Sequence, residues 1–482
     1  MTKSLLVNAT RQYDSETQNG AVTHSTSLSK CLDLFFIAGA SRNISDEDIE
    51  IAFAQARAEC RHLAWRIALW ARDCRGGAGE KRFFQVIGKY ASKHYPEEWS
   101  WMSLNIPDIG SWKDFFVIEE PNADLLNFLQ TMLEEHPTAN LLAKWFPRKG
   151  RWFVAMHKYC GWSPKQLRKY LVSKTNVVEH KICANQLGLI DYSTVPSVAM
   201  NKYSRLFNLK DPIRYVKYLE DVKEGRAKIN ASVLFPSDIV KQFYGGGYIR
   251  SIDNADAMQA QWDALPDYMS DSNERILPVC DVSGSMTWPL NGLPMIVSLA
   301  LGLYISERNK SIFKNAVVTF SSTPKMHYIE GDNLHDRLQD LISAPWGGST
   351  NLVATFDLIL DSACRIALPV EQMLTKLLII SDMEFDSACP SYEGATNFDA
   401  IKQKYADVGY KMPEIIFWNV AGRMGNVPVN ANESNVGLVS GFSPSILTTV
   451  LNGEIISPYQ LMRDAVDTDK YIHMTKSLDD CL

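Results

Sequence analysis

Long apolar runs are missing from this chain. Nowhere in its 482 residues do about 18 consecutive apolar side chains occur, so no membrane-spanning helix is expected. The opening stretch, "MTKSLLVNATRQYDSETQ", has no apolar secretion segment, and the expectation is a cytoplasmic protein. Cysteine is sparse: nine residues, at 31, 60, 74, 160, 183, 280, 364, 389 and 481, with no C-x-x-C and no Cys/His cluster. That spacing argues against a zinc site and for reduced thiols. There is no G-x-x-x-x-G-K-[ST] segment, which argues against a P-loop nucleotidase. An overall excess of positive charge is also lacking. Lys and Arg number 49 against 55 Asp and Glu, a net charge of −6.

The distribution of charge points the other way. Residues 1–270 carry 34 basic against 30 acidic side chains, and residues 271–482 carry 15 against 25. Within the first part, residues 144–250 hold 20 basic and 7 acidic side chains, net +13. A basic block beside an acidic region is what a polyanion-binding surface requires. A solvated helical face has the same composition, because Lys and Arg are good helix formers.

Residues 1–27 are polar and read as a mobile tail. From 28 to 243 the pattern is helical. "SDEDIEIAFAQARAECRHLAWRIALWARD" has Ser45 as N-cap, acids in the first turn, and apolar residues Ala54, Ala58, Leu63, Ile67 and Trp70 at helical spacing. "SPKQLRKYLVSK" places Ser163 as N-cap before Pro164, and "DPIRYVKYLEDVKEG" repeats the device with Asp211, Pro212 and a terminal Gly225. Short helices with short turns predict a stacked helical-repeat module, with units too degenerate to show a period. Residues 244–274 read as a connector. From 275 to 482 short apolar runs, "ILPVCD", "NAVVTF", "KLLIISD" and "EIIFWNV", alternate with helical stretches. This predicts a doubly wound α/β domain with ligands at the C-terminal strand ends.

At those ends stand the residues that carry chemistry. "DVSGSM" follows the first strand and offers Asp281, Ser283 and Ser285 at alternate positions; "WGGSTNL" offers Thr350; "ISDMEFD" offers Asp382. Two carboxylates and three hydroxyls are hard oxygen donors, suited to Mg²⁺ or Mn²⁺ with a position left open for an acidic ligand. Glu384 and Asp386 read as exposed acids or, alternatively, as groups that support the metal ligands, and His327 and His335 as surface residues outside these loops. Without a nearby base the chemistry is binding, and no enzyme activity is expected.

D-x-S-x-S, the downstream Thr and the strand-ending Asp resemble the metal-ion-dependent adhesion site of von Willebrand factor A domains, over about 275–460. Met383 stands where many members of that family carry Gly. The helical half, through "WARDCRGGAGEKRFF", "IPDIGSWKDFF", "LLAKWFPRKGR" and "VPSVAMNKYSRLF", resembles the TROVE module of the Ro autoantigen family, nearest to a viral, bacterial and plant branch of that architecture. The resemblance implies HEAT-like repeats closed into a ring by the A domain, a ribonucleoprotein, and a monomer. Its partner would be a small structured RNA or one with a single-stranded end.

The residues expected to face RNA are Lys144, Arg148, Lys149, Arg151, Lys158, Arg168 and Lys169, interleaved with Trp145, Phe146, Trp152, Tyr159 and Tyr170. Arg72, Arg75, Lys81 and Arg82 flank a glycine-rich turn that reads either as an anion site or as a capped helix–helix turn. Against the RNA-binding scaffold stands a metal-dependent protein-interaction adaptor, of the kind that works beside a MoxR-type AAA+ ATPase. A metal-dependent nuclease or phosphatase is the third reading.

Overall fold

The computed structural model describes residues 14–16, 22–245, 247–287, 289–321, 323–347, 351–384, 397–451 and 453–480. Helices dominate the chain as far as Asp263, with two short two-stranded hairpins among them, and a mixed α/β region follows. The Ser45 hydroxyl accepts from the Asp48 N–H, and Asp46, Glu47 and Asp48 sit at the positive end of the helix dipole. The pattern read as one helix is two. Asp46–Glu59 stops at Cys60, whose extended backbone (φ −153°) redirects the chain into Arg61–Arg72. The first helix buries Ile49, Ala52, Phe53 and Ala56, so Ala54 and Ala58 fall outside its apolar face; Leu63, Ile67 and Trp70 of the second are buried.

Pro164–Lys174 begins behind Ser163 with a reciprocal capping box to Gln166. Pro212–Lys223 begins behind Asp211, but that carboxylate does not cap. It accepts from the Tyr192 hydroxyl at 2.8 Å and from Arg214 at 2.7 Å. Gly225, at φ 75°, ends the helix as expected.

The sheet of the second region has six strands: β1 (Ile276–Cys280), β2 (Ala316–Thr319), β3 (Lys325–Tyr328), β4 (Lys376–Ser381), β5 (Glu414–Asn419) and β6 (Val436–Ser440). Their order is β6-β5-β4-β1-β2-β3, parallel except for the β2–β3 hairpin. β1, β2, β4, β5 and β6 are buried along their whole length, which is why four of them read as unbroken apolar runs. Exposed β3 and Gly-containing β6 carry no such run. β1 and β4 are neighbours where the winding reverses, so a crevice opens at their C-terminal ends.

The helical and α/β regions share one continuous apolar core. The helix Lys30–Ala38, expected to belong to the helical module, covers β6 and packs on Pro458–Val466. Gly39 N–H donates to Ser440 Oγ at 3.0 Å, and that hydroxyl donates to the Phe35 carbonyl at 3.2 Å. A Cβ on Gly39 would lie 2.2 Å from the Ser440 carbonyl oxygen. Gly39→Ala is therefore expected to destabilise the chain by about 1–3 kcal/mol, through overpacking of this contact. Urea unfolding checks this; an unchanged midpoint would show that the helix does not depend on so close an approach.

A second junction closes the chain on itself. Pro236–Phe243 packs on Leu293–Arg308, and Ala255–Asp263 on Leu334–Ser343. The 244–274 stretch is thus more than a connector. It holds a short hairpin (Tyr244–Gly245 with Tyr248–Ile249) and buried Trp262, whose indole N–H donates to Glu307 Oε2 at 2.8 Å. The tail expected through residue 27 is anchored at its end. His24 and Val427 exchange two 3.0 Å backbone bonds, and Ala431 N–H donates to the Ser27 carbonyl at 2.9 Å. No described helix is long and apolar enough to cross a membrane.

Candidate metal centre and basic cluster

β1 and β4 deliver Asp281 and Asp382 side by side into the crevice, 0% and 1% exposed. Asp281 Oδ1 accepts from Ser283 N–H at 2.9 Å, and its Oδ2 from Ser381 Oγ at 2.6 Å. The chain leaves β1 into one helical turn, Gly284–Thr287, rather than an extended loop, yet the Ser283 and Ser285 hydroxyls still meet, 3.0 Å apart. Ser381 Oγ also accepts from Met383 N–H at 3.0 Å, so this one hydroxyl ties the two strand ends together. Asp382 Oδ1 accepts from Glu384 N–H at 3.2 Å. Asp382 Oδ2 is buried without a hydrogen-bond partner, although the Ser285 hydroxyl is near enough to favour the charged form.

Burial, and then repulsion from Asp382, holds the Asp281 carboxyl well above the usual carboxylate range. Burial raises Asp382 as well, against the pull of Ser285, the Glu384 N–H and Arg423. Two buried carboxyls with one orphan oxygen form a site whose negative charge Arg423, itself paired with Glu384, only partly offsets. Among the described residues no group of three or more His, Cys, Asp and Glu side chains could hold a metal. The donor set is oxygen only, two carboxylates and two hydroxyls, which fits a hard divalent cation and not a softer transition metal. Thr350 and Asp386 lie outside the described residues.

Met383 adopts φ 66°, the left-handed backbone that glycine takes freely and other residues do not. Glu384, expected to be exposed, is 3% exposed. Its Oε1 takes the Asn426 amide at 3.1 Å and pairs with Arg423 at 3.1 Å, because the turn at Met383 folds it back under the loop that follows β5. His327 and His335 are half-buried rather than exposed and pair with Asp340 (2.8 Å) and Asp336 (3.2 Å), apart from this network.

The structure divides the basic candidates. Arg72 is buried, with Nε 2.9 Å and a terminal nitrogen 2.8 Å from Asp114 Oδ2. It holds the helix Trp112–Ile118 in place and has no access to a phosphate. Arg82 pairs with Asp46 and donates to the Ser41 carbonyl at 2.9 Å, and Arg75 is exposed, donating to the Asp108 carbonyl at 3.3 Å. Arg72 and Arg82 thus brace the helices at the glycine-rich turn, while Arg75 remains open to solvent. Lys149, Lys158 and Lys169 are exposed. Arg151 is exposed and pairs with Glu120; Arg168 lies 4.8 Å above the Phe153 ring; Arg148 is half-buried and donates to the Phe146 carbonyl at 3.0 Å. Trp152 and Phe146 are core residues, and Tyr170 is half-buried beside Trp162.

Two further candidates, Lys81 and Lys144, converge with two lysines that the sequence reading does not single out. Lys113 Nζ sits 3.5 Å from the centroid of half-buried Trp145, and Lys144 Nζ 4.7 Å from it. Burial, then repulsion from Lys81, Lys144 and Lys202, pulls Lys113 below the usual lysine range. These four lysines come from four helices: Lys81–His94, Trp112–Ile118, Ala139–Trp145 and Ser197–Lys210. Their acidic partners are Asp114, 3.7 Å from Lys81 and already satisfied by Arg72, and Glu179, 2.7 Å from Lys144. Positive charge here exceeds what the protein neutralises.

Most of the chain has relatives. A model of a domain of unknown function, DUF2828, matches residues 132–274, and one of a second, DUF7788, matches residues 275–479. An uncharacterised protein of Acanthamoeba polyphaga mimivirus is 29% identical over 504 residues, covering 92% of this chain and 86% of that one. Neither matched model is that of the Ro module or of an A domain. The two matches meet between Glu274 and Arg275, immediately before β1.

Lys113 and Lys202 escape a reading by charge density. Lys113 lies outside the basic block and is followed by Asp114, and Lys202 is one of twenty basic residues within it. The signal that marks Lys113 is its place in the "SWKDFF" stretch, where the capping box between Ser111 and Asp114 fixes the helix start.

Proposed function

We propose that this chain is an RNA-binding scaffold of the Ro type, with a HEAT-like helical module and a von Willebrand factor A-like domain. The observation that carries the reading is the cluster of Lys81, Lys113, Lys144 and Lys202 from four helices, with Lys113 and Lys144 over the Trp145 ring. Clustered ammonium groups bind phosphates, and an aromatic face among them offers a stacking platform for an unpaired base. Closure of the helical region on the α/β region at two junctions supports a ring-like arrangement, and Lys149, Lys158 and Lys169 supply an exposed basic surface besides. The strand order with its antiparallel edge and the left-handed Met383 support the A-domain likeness.

The A-like domain would hold Mg²⁺ or Mn²⁺ through Asp281, Ser283, Ser285, Asp382 and Thr350. The cation supplies a Lewis-acidic position for a carboxylate or phosphate. Asp281 and Asp382 would offset its charge, and the Ser283 and Ser285 hydroxyls would complete the oxygen donors. This is capture rather than catalysis. A second reading, a metal-dependent protein adaptor without RNA, draws on the orphan Asp382 oxygen, which points to a ligand independent of the lysines. RNA binding at two salt concentrations separates the readings. The scaffold requires affinity that falls steeply with salt and depends on the lysines; the adaptor requires a protein partner that is lost on chelation.

A further inference from the structure

Asp382 sits on a turn that its own backbone does not favour. Met383 is a non-glycine residue at φ 66°, and it must stay there for Asp382 to face Asp281. The restraint comes from outside the turn. The Asn426 amide donates to the Met383 carbonyl at 3.0 Å and to Glu384 Oε1 at 3.1 Å, and Arg423 pairs with the same carboxylate at 3.1 Å. Asn426 and Glu384 are both buried, so water does not substitute for these bonds.

An amide can hold the turn in this way only if its oxygen points elsewhere, since a reversed amide would set oxygen against two acceptors. Those two acceptors set the sense of the amide, and Thr23 braces it from the other side. Its one hydroxyl proton, on a residue 2% exposed, is shared between Asn426 Oδ1 at 3.2 Å and the Val427 carbonyl at 2.9 Å. The two backbone bonds between His24 and Val427 lock the register in which Thr23 meets Asn426.

We propose that Thr23 and Asn426 are positioning residues for the Asp382 arm of the metal centre, so that residues 22–27 and the cation site form one mechanical unit. The inference rests on the metal reading above for its ligand and on the hydrogen-bond chain for its mechanism. Anything that lifts the amino-terminal segment from the 425–431 loop loosens the turn and weakens cation binding.

The test uses the full chain, Mn²⁺ alone as probe, and two readouts: affinity by water-proton relaxation, and amide exchange at Met383 and Glu384 without metal. Thr23→Val keeps the shape and removes the hydroxyl. It is expected to weaken Mn²⁺ binding roughly five-fold, the scale of one buried hydrogen bond, and to speed exchange at both amides. Thr23→Ser is expected to restore both. Unchanged affinity and unchanged exchange in Thr23→Val overturn the proposal. If the wild-type chain binds no Mn²⁺, the metal reading fails by itself. Exchange then decides: faster exchange in Thr23→Val upholds the coupling, and unaltered exchange ends it.

Discussion

The Lys113→Glu/Lys144→Glu variant is expected to lose RNA binding that the wild-type chain retains at low salt. Four phosphate contacts to a single strand give a slope of about −3 in log affinity against log salt, so affinity falls roughly 50-fold between 50 and 200 mM. Reversing two of the four charges removes two contacts and adds two repulsions, an expected loss of roughly 100-fold at low salt with a shallower slope. Lys149→Glu/Arg151→Glu tests the exposed surface and is expected to weaken binding less, because Arg151 is already paired with Glu120. Asp281→Ala is expected to leave RNA affinity within about two-fold, since the acidic crevice offers no phosphate contact of its own. Filter binding with a mixed pool of structured and single-stranded-ended RNAs reads all three variants. Equal loss in the Lys149→Glu/Arg151→Glu and Lys113→Glu/Lys144→Glu variants would move the RNA to the outer surface, and no binding at low salt would leave the adaptor.

Asp281→Asn is expected to abolish stabilisation by Mg²⁺ or Mn²⁺ and at the same time to stabilise the metal-free chain. In the folded state Asp281 is held above the usual carboxylate range by burial and by Asp382. Between an unfolded carboxyl pKa of about 4 and the raised folded value, the folded chain binds more protons than the unfolded one. The metal-free wild type therefore loses stability as pH rises through that window, and Asp281→Asn, having no charge to bury, loses less. A bound cation reverses the sign, because it requires both carboxylates ionised. At a hundred times its dissociation constant it contributes about 2.7 kcal/mol. Thermal unfolding at pH 5 and pH 8, with EDTA and with MgCl₂, gives four numbers per protein. Equal cation stabilisation of wild type and Asp281→Asn would place the metal elsewhere.

The Asp281 arm of the candidate metal centre was legible in the chain because its parts are local. Asp281 and the two serines lie within five residues, and a buried strand in front of them decides where they point. The same holds for Ser163 and its capping box, four residues long. What the chain concealed is of a different kind. Cys60 splits a helix that its apolar period carries straight through, since periodicity records which face is apolar and not where an extended residue interrupts it. Glu384 reads as exposed beside other acids, yet Asn426 and Arg423, some forty residues later, cover it. β3 escaped because it is a short exposed edge with nothing buried to mark it.

The sequence by itself determined the alternation of helix and strand in the second region, the oxygen donors at two strand ends and the charge contrast between the two halves. Each of these follows from side chains close together in the chain and from whether a face is apolar. Only the tertiary structure decided that Arg72 is a strut paired with Asp114, and that Lys81, Lys113, Lys144 and Lys202 share one environment. It alone tied Thr23 to a turn some 360 residues away and covered β6 with the helix Lys30–Ala38. Lysines repel and do not announce their neighbours. They are brought together because the helices that carry them bury apolar faces on one continuous core, and that packing is set by contacts between distant parts of the chain.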